Sequence, residues 1–287
     1  MTQRTLAFAL TILAGLTACS PPDAEPQQEQ ADVVEQAAPR IAVIGATARS
    51  GRVIIQQALD AGYEVTGLAR TPSKLGFEHE NLTMVKGDVR DIETLKAALT
   101  GDQVVICMVG VPTPTNLNEP IGEVDLYTVM GENLIAAMKD KGNKRLIMAS
   151  STGVEHMLPR EATEPEGDTM SDAWRFSARF LYNDMADMET QIRESGLEYV
   201  LLRPGFMVEE PARHDMQFSI EGGTPKQRTI TYEDFAAFTL EQVDSDEYLN
   251  KAVGMYSDEI MDPAKEVQKF MEKLRKEKEA AEAAAGE

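Results

Sequence analysis

Eleven residues set the strongest limit on what this chain folds into: Ile41-Ala-Val-Ile-Gly-Ala-Thr-Ala-Arg-Ser-Gly51. A short apolar, β-branched run predicts a strand. A turn of small residues follows it, and Ser50–Ala61 then reads as a helix. Strand, tight turn and helix N-terminus together let backbone amides approach a diphosphate while the helix dipole favours its negative charge. Gly45 is expected to make the turn and Gly51 to let the helix pack close. Gly45, Ala46, Thr47, Ala48, Arg49, Ser50 and Gly51 are the candidate cofactor-binding residues. The competing reading is a structural turn that holds no phosphate.

Downstream, short β-branched runs alternate with longer amphipathic ones, the mark of βαβ units and a parallel sheet. Strands are predicted over 41–44, 64–69, 82–86, 104–109, 145–150 and 199–202, with helices through 91–99 and 126–141 between them. Asp91 is the expected N-cap of the first of these helices. An acidic insertion, Glu161–Asp172, reads as a loop over the crevice, and a helix through Phe180 and Met188 returns the chain. The remainder predicts a hairpin over Gln217–Ile230, a helix over Tyr232–Val243 and a strand at Val253–Tyr256. The fold class is α/β, a doubly wound parallel sheet of the Rossmann kind in one domain with small C-terminal substrate-side elements.

The N-terminus argues for export. Arg4 precedes an apolar stretch, Leu6–Leu16, that is short for a membrane span. It ends in Leu16-Thr17-Ala18-Cys19, which resembles the lipobox of bacterial lipoproteins, where the Cys is acylated and becomes the new N-terminus. Residues 1–18 are then a signal peptide, Cys19 the lipidation site and 19–39 a tether, with an uncleaved anchor or a misassigned start as alternatives. Each buried methylene of an acyl chain contributes roughly 0.8 kcal/mol to anchoring. The tether is rich in Pro, Gln, Glu and Ala and cannot bury enough surface to order itself. Ser20 favours outer-membrane sorting by the same resemblance, which makes the expected location the periplasmic face of the cell envelope.

The domain is expected over 40–260, and 261–287 as a charged helix and tail. A formal charge of −20 argues against a nucleic-acid surface, which needs clustered Lys and Arg. The membrane is contacted through the lipid anchor alone, and the oligomeric state is left open. Cys19 and Cys107 are the two cysteines, and Cys107 lies in an apolar run where a small buried thiol is expected. His79, His156 and His214 show no metal-ligand spacing, so no metal is assigned and surface positions are expected for them.

The loop Gly45-Ala-Thr-Ala-Arg-Ser-Gly51 resembles the Gly-Ala-Thr-Gly-x-x-Gly of atypical short-chain dehydrogenase/reductases, with Ala48 at the middle glycine. Similarity runs on through Arg193–Gly205 and the later Thr229–Phe235 and Asp246–Tyr248 segments, nearest to NmrA-like and biliverdin reductase B or flavin-reductase-like members. It implies an NAD(P)-binding domain. Arg70, after the second strand, stands where NAD-specific folds place an acid for the ribose hydroxyl. A cation there would pair with a 2′-phosphate, which favours NADP over NAD, with Arg49 as a second candidate; a solvated Arg is the alternative. By the resemblance, Asp88 and Val89 would contact adenine, and Val109 and Gly110 the cofactor ribose.

Carbonyl-reducing members of that family use a Tyr with a Lys four residues later. Counted back from Ser195-Gly196, those positions are Leu181 and Met185, which disfavours ordinary ketone chemistry. Reduction of a flavin, quinone or linear tetrapyrrole gives a delocalised anion that can draw its proton from water, so positioning alone suffices. Ser151 matches the serine implicated in that reductase branch and is the candidate catalytic residue, against the alternative that Ser150 and Ser151 only cap a strand end. The family's active-site His corresponds to Glu189. Trp174, Phe176 and Phe180 read as core rather than as the floor of an aromatic substrate site.

The function expected is an NAD(P)H-dependent oxidoreductase acting on a planar conjugated small molecule. A Sec-exported chain crosses unfolded and carries no cofactor with it, and reduced nicotinamide is scarce outside the cytoplasm. A non-catalytic NAD(P)-binding sensor or scaffold, NmrA-like, is therefore the alternative.

Overall fold

Ile41, Ala42, Val43 and Ile44 are all fully buried. Four consecutive buried residues mean a strand covered on both faces, the central position of a parallel sheet. In the computed structural model, which describes residues 38–111, 121–168, 170–260, 268, 269, 272, 275 and 276, this strand is β1 (Arg40–Ile44). It pairs in parallel with β2 (Glu64–Ala69) on one side and β4 (Val104–Cys107) on the other. Further strands are β3 (Leu82–Lys86), β5 (Arg145–Ala149), β6 (Glu198–Pro204), β7 (Phe206–Val208), β8 (Gln217–Ile220), β9 (Thr229–Thr231) and β10 (Lys251–Tyr256). The main sheet has the order β3-β2-β1-β4-β5-β6-β10-β8, parallel throughout except for β8 at its edge. This is the doubly wound Rossmann order, and it reverses direction between β1 and β4.

Alternate residues of the strands feed two cores. Ala42, Ile44, Cys107 and Met148 face α2 (Ile92–Ala98), α3 (Leu126–Lys141) and α5 (Arg179–Glu194). Ile41, Val43, Ile106 and Ile147 face α1 (Arg49–Asp60) and α6 (Tyr232–Glu241). Truncating one such side chain to Ala costs about 2–5 kcal/mol. The helices end where the sequence supplies a stop or a cap. Asp91 accepts the Glu93 amide at 3.0 Å at the head of α2, and α3 gives way to Gly142 at φ +86°. The N-terminus of α3 is capped from another helix: the buried Asp184 of α5 accepts from the Tyr127 amide at 2.8 Å and the Thr128 hydroxyl at 2.8 Å.

The expected hairpin over Gln217–Ile230 does not form. β8 pairs with β10, Ser219 opposite Gly254, whereas β9 joins β7 in a separate two-stranded sheet, Ile230 opposite Met207. Glu221, Gly222 and Gly223 all adopt positive φ and turn the chain between the sheets. Period-two spacing marks a strand but not its partner. The expected loop Glu161–Asp172 is also shorter than predicted, because α4 (Met170–Ser177) starts inside it. Arg175 clamps that segment through Glu166 at 3.3 Å and Asp172 at 2.5 Å. The signal segment 1–18, Cys19 and the tether to residue 37 lie outside the described residues, as does most of 261–287.

Candidate functional site

The carboxyl ends of β1 to β5 are level, with Ile44 opposite Leu68 and Cys107, Cys107 opposite Met148, and Ala69 opposite Lys86. The residues that follow each strand therefore share one edge. Gly45 turns the chain at φ +88°, a conformation that favours glycine. A Cβ there would lie 3.0 Å from the Met108 carbonyl carbon and from Val109, so the turn sits directly against the segment after β4. Gly51 is needed for contact: its Cβ would come within 2.3 Å of the Gly45 carbonyl oxygen. The amides of Gly45 and Ala46 both donate to the Leu68 carbonyl, at 2.9 and 3.0 Å.

Helix α1 begins with no side-chain cap and no acid in its first turn. Its first amides have no partner within their own helix, so they offer an anion what a cap would otherwise supply. Ala48 is the N-cap at φ −64°, ψ 157°, an extended conformation that alanine adopts without strain. The backbone there does not require the glycine usual in the family motif. Uncapped amides, the Gly45 turn and the Gly51 contact fit a dinucleotide's diphosphate. A cleft of about 680 Å³ opens beside this turn, lined by Thr47, Arg49, Arg52, Glu209, Pro211 and Tyr232 among others.

Arg70 follows β2, is exposed, and makes no ion pair or hydrogen bond among the described residues. Arg52, in the first turn of α1, hydrogen-bonds the Lys74 carbonyl and so brings a second guanidinium to the turn that follows Arg70. Arg49 instead pairs with Glu209 at 3.6 Å, on the segment after β7, and both side chains are about half exposed. The Gly87 amide donates to the Ala69 carbonyl at 3.1 Å, which sets the Asp88 turn beside Arg70. Asp88 Oδ1 accepts the Arg90 amide at 3.0 Å, and Val89 is buried in the core with its carbonyl bonded to Asn133 at 3.0 Å. Gly110 is exposed, and the Tyr127 hydroxyl accepts the next amide, that of Val111, at 3.3 Å.

At the end of β5, Ser151 Oγ accepts the Gly153 amide at 3.0 Å and caps the 3₁₀ turn Thr152–His156. The Tyr182 ring packs on that turn, where a Cβ on Gly153 would fall 2.1 Å from its Cε1, and its phenol oxygen accepts the Trp174 indole N–H at 2.9 Å. Burial pushes the Tyr182 phenol up, and the hydrogen bond from Trp174 offsets only part of that. The phenol is therefore neutral near pH 7. Leu181 and Met185, the positions counted as those of the family's Tyr and Lys, are core residues, and the tyrosine that packs on Gly153 stands one residue further on. Four residues beyond it is Ala186, so no lysine lowers its pKa.

Ser150 takes the other side. Its hydroxyl donates to Glu189 Oε1 at 2.6 Å, and Arg203 of β6 holds both carboxylate oxygens, Nε to Oε1 at 2.9 Å and Nη2 to Oε2 at 2.5 Å. All three side chains are buried. Burial would lower the Arg203 pKa, but the Glu189 and Glu155 carboxylates raise it, so the guanidinium stays charged. Glu155 lies 3.7 Å from Arg203 and accepts the Thr224 amide and hydroxyl, each at 2.9 Å.

Missed in the sequence were Tyr182, displaced by one residue in the count back from Ser195-Gly196; Arg52, legible as a cation directly after Gly51; and the pairing of Glu189 with Arg203, which spans two elements. Trp174 is neither simple core nor floor, because its N–H serves Tyr182. Phe176 and Phe180 flank the Arg179 guanidinium at 4.3 and 4.4 Å. His79 and His214 are exposed, but His156 is half-buried and within 3.0 Å of the Thr224 carbonyl, a correction to the surface position expected of it. The Cys107 thiol is pushed up to about 12 by burial, as suits an inert core thiol.

Known proteins share this fold. The chain is 24% identical over 238 residues to a bifunctional pinoresinol-lariciresinol reductase of Linum usitatissimum, covering 75% of this chain and 64% of that one. It spans 60 and 64% of the length of the first curated relatives it matches. A short-chain dehydrogenase/reductase of Veillonella parvula in complex with NADP superposes with a TM-score of 0.57 at 16% identity, over 77% of this chain and 96% of that one. A candidate NADH-flavin reductase of Streptococcus pneumoniae does so with a TM-score of 0.59 at 19% identity, over 77% of this chain and 100% of that one. These two likenesses establish the fold. The profile described as NAD(P)H-binding matches residues 45–246, from the turn glycine to the approach to β10. That stretch takes in the turn at the head of α1 and every strand of the main sheet but β1 and β10, and the chain belongs to this NAD(P)H-binding family of Rossmann domains.

Proposed function

We propose that the chain is an NADPH-dependent reductase of a planar conjugated acceptor, such as a flavin, quinone or linear tetrapyrrole, held on the periplasmic face of the envelope by acylation of Cys19. The observation that carries the reading is the buried Tyr182, whose phenol accepts the Trp174 indole N–H and whose ring packs on the turn capped by Ser151, at the same sheet edge as the α1 turn. Bound reduced nicotinamide supplies the hydride. Gly45 to Gly51 hold the diphosphate, and Arg70 with Arg52 faces a 2′-phosphate. Trp174 donates to the Tyr182 oxygen and holds the phenol at the turn that Ser151 caps. Ser151 Oγ accepts the Gly153 amide, and its own proton is left for an electronegative atom of the acceptor.

With the phenol neutral and no lysine beside it, Ser151 donates a hydrogen bond to charge that the acceptor already delocalises. It is poorly suited to protonating a simple alkoxide. The NADH-flavin reductase among the structural neighbours favours this choice of acceptor class. Ala186 at the lysine position also suits a non-catalytic sensor.

Purified protein mixed with NADPH and FMN or a quinone separates the two. The reductase oxidises NADPH, and Tyr182→Phe lowers kcat by about 10²-fold while the Kd for NADPH holds. Tight nucleotide binding with no turnover across these acceptors would establish the sensor instead.

A further inference from the structure

Helix α5 meets the end of β5 at two points. Tyr182 packs on Gly153, whose amide Ser151 accepts, and Glu189, seven residues on and hence on the same face two turns later, accepts the Ser150 hydroxyl at 2.6 Å. Asp184, between them, binds the N-terminus of α3 and so fixes α5 to its neighbouring helix but not to the sheet. The polar tie from α5 to the end of β5 is therefore Glu189. Its carboxylate is fixed in turn by the two-point grip of Arg203, whose strand is β5's neighbour. A buried ion pair of this kind adds little net stability over an apolar pair of similar volume, while its geometry is tightly specified.

We propose that Glu189 is a positioning residue: with Arg203 it sets the rotation and height of α5 over the end of β5, so that Tyr182 seats against Gly153, in the turn that Ser151 caps, with its phenol at the Trp174 indole. The inference deepens the reductase reading and takes its purpose from it, but the geometry can be tested without nucleotide.

Trp174 is the only tryptophan, so the full chain gives one indole N–H resonance, and that proton is donated to Tyr182. Tyr182→Phe removes the acceptor and defines the full displacement of the signal. Glu189→Leu is expected to reproduce most of that displacement, and Glu189→Gln, which keeps an oxygen for Ser150, less than half of it. Met188→Ala, a cavity in the same helix at a fully buried side chain, is expected to lower the melting temperature and leave the signal in place. A folded Glu189→Leu variant with a wild-type indole signal overturns the proposal. If that variant does not fold, Ser150→Ala serves: a partial displacement supports the proposal and an unmoved signal overturns it. The spectra are recorded without NADPH, so failure to find turnover would sink the reductase reading and leave this result standing.

Discussion

Helices α1 and α6 pack against each other, with Gln57 of one donating to the Glu233 carbonyl of the other at 3.2 Å, yet their N-termini are finished in opposite ways. At α6, Thr231 accepts the Asp234 amide at 3.0 Å, and Glu233 and Asp234 complement the helix dipole. Those two acids also take the amides of Ala212, Arg213 and His214, at 2.8, 2.8 and 3.2 Å. At α1 there is an alanine cap, no first-turn acid, and arginines at positions 49 and 52. One helix start is satisfied from within the protein. The other is left in want of an anion, a local sacrifice of stability of about 1 kcal/mol that a bound diphosphate would repay.

The contrast is broken most completely at Gly51. Gly51→Ala puts a methyl against the Gly45 carbonyl, so it is expected to destabilise the fold by about 1–3 kcal/mol and abolish dinucleotide binding, read by thermal melting and NADPH titration. Ala48→Asp makes α1 resemble α6. The new carboxylate caps the free amides, which is expected to raise stability by about 1 kcal/mol while NADPH affinity falls by roughly 100-fold, the equivalent of two charge-assisted hydrogen bonds. A variant both more stable and still tightly binding would refute the diphosphate assignment. Arg70→Glu sharpens the comparison at the neighbouring turn: the ratio of NADPH to NADH affinity should drop by about 10–100-fold in calorimetry, with NADH little changed.

The smallest effect belongs to the satisfied helix. Thr231→Ala is expected to cost about 1 kcal/mol in melting experiments and leave the NADPH Kd unaltered. Asp234 adds a pH signature. Burial pushes its carboxyl up, but the Arg213 and His214 amides and the Thr231 hydroxyl hold it below the ordinary aspartate value. Its stabilisation is complete above the unfolded-state value and is lost as the pH falls through the lower folded value. Acid unfolding monitored by circular dichroism should therefore begin at higher pH in the Thr231→Ala variant than in wild type.

Local patterns made the diphosphate half legible. Gly45 and Gly51 announce their roles because backbone conformation and close approach leave few other residues possible. The alternation of β-branched runs with amphipathic stretches carried the succession of strands through β6 and their parallel pairing, since βαβ units return each strand in the same direction. The other half was less legible. The partners of β8 and β9 could not be read, because one edge strand looks like another until the sheet is assembled. Tyr182 was missed by one residue: the count fixed a position along the chain, whereas the helix face that meets Gly153 depends on how α5 is rotated.

Residues 41–51 by themselves determined that this chain builds a strand–turn–helix with a bare helix start, because nearest-neighbour sterics and the missing cap are properties of those residues alone. Only the tertiary structure decided that Glu189 belongs to Arg203 and Ser150, that Arg52 reaches the turn beyond Arg70, and that Trp174 donates to the Tyr182 phenol. Each of those contacts joins separate elements, and a hydrogen bond depends on angstrom-scale placement that no spacing along the chain encodes.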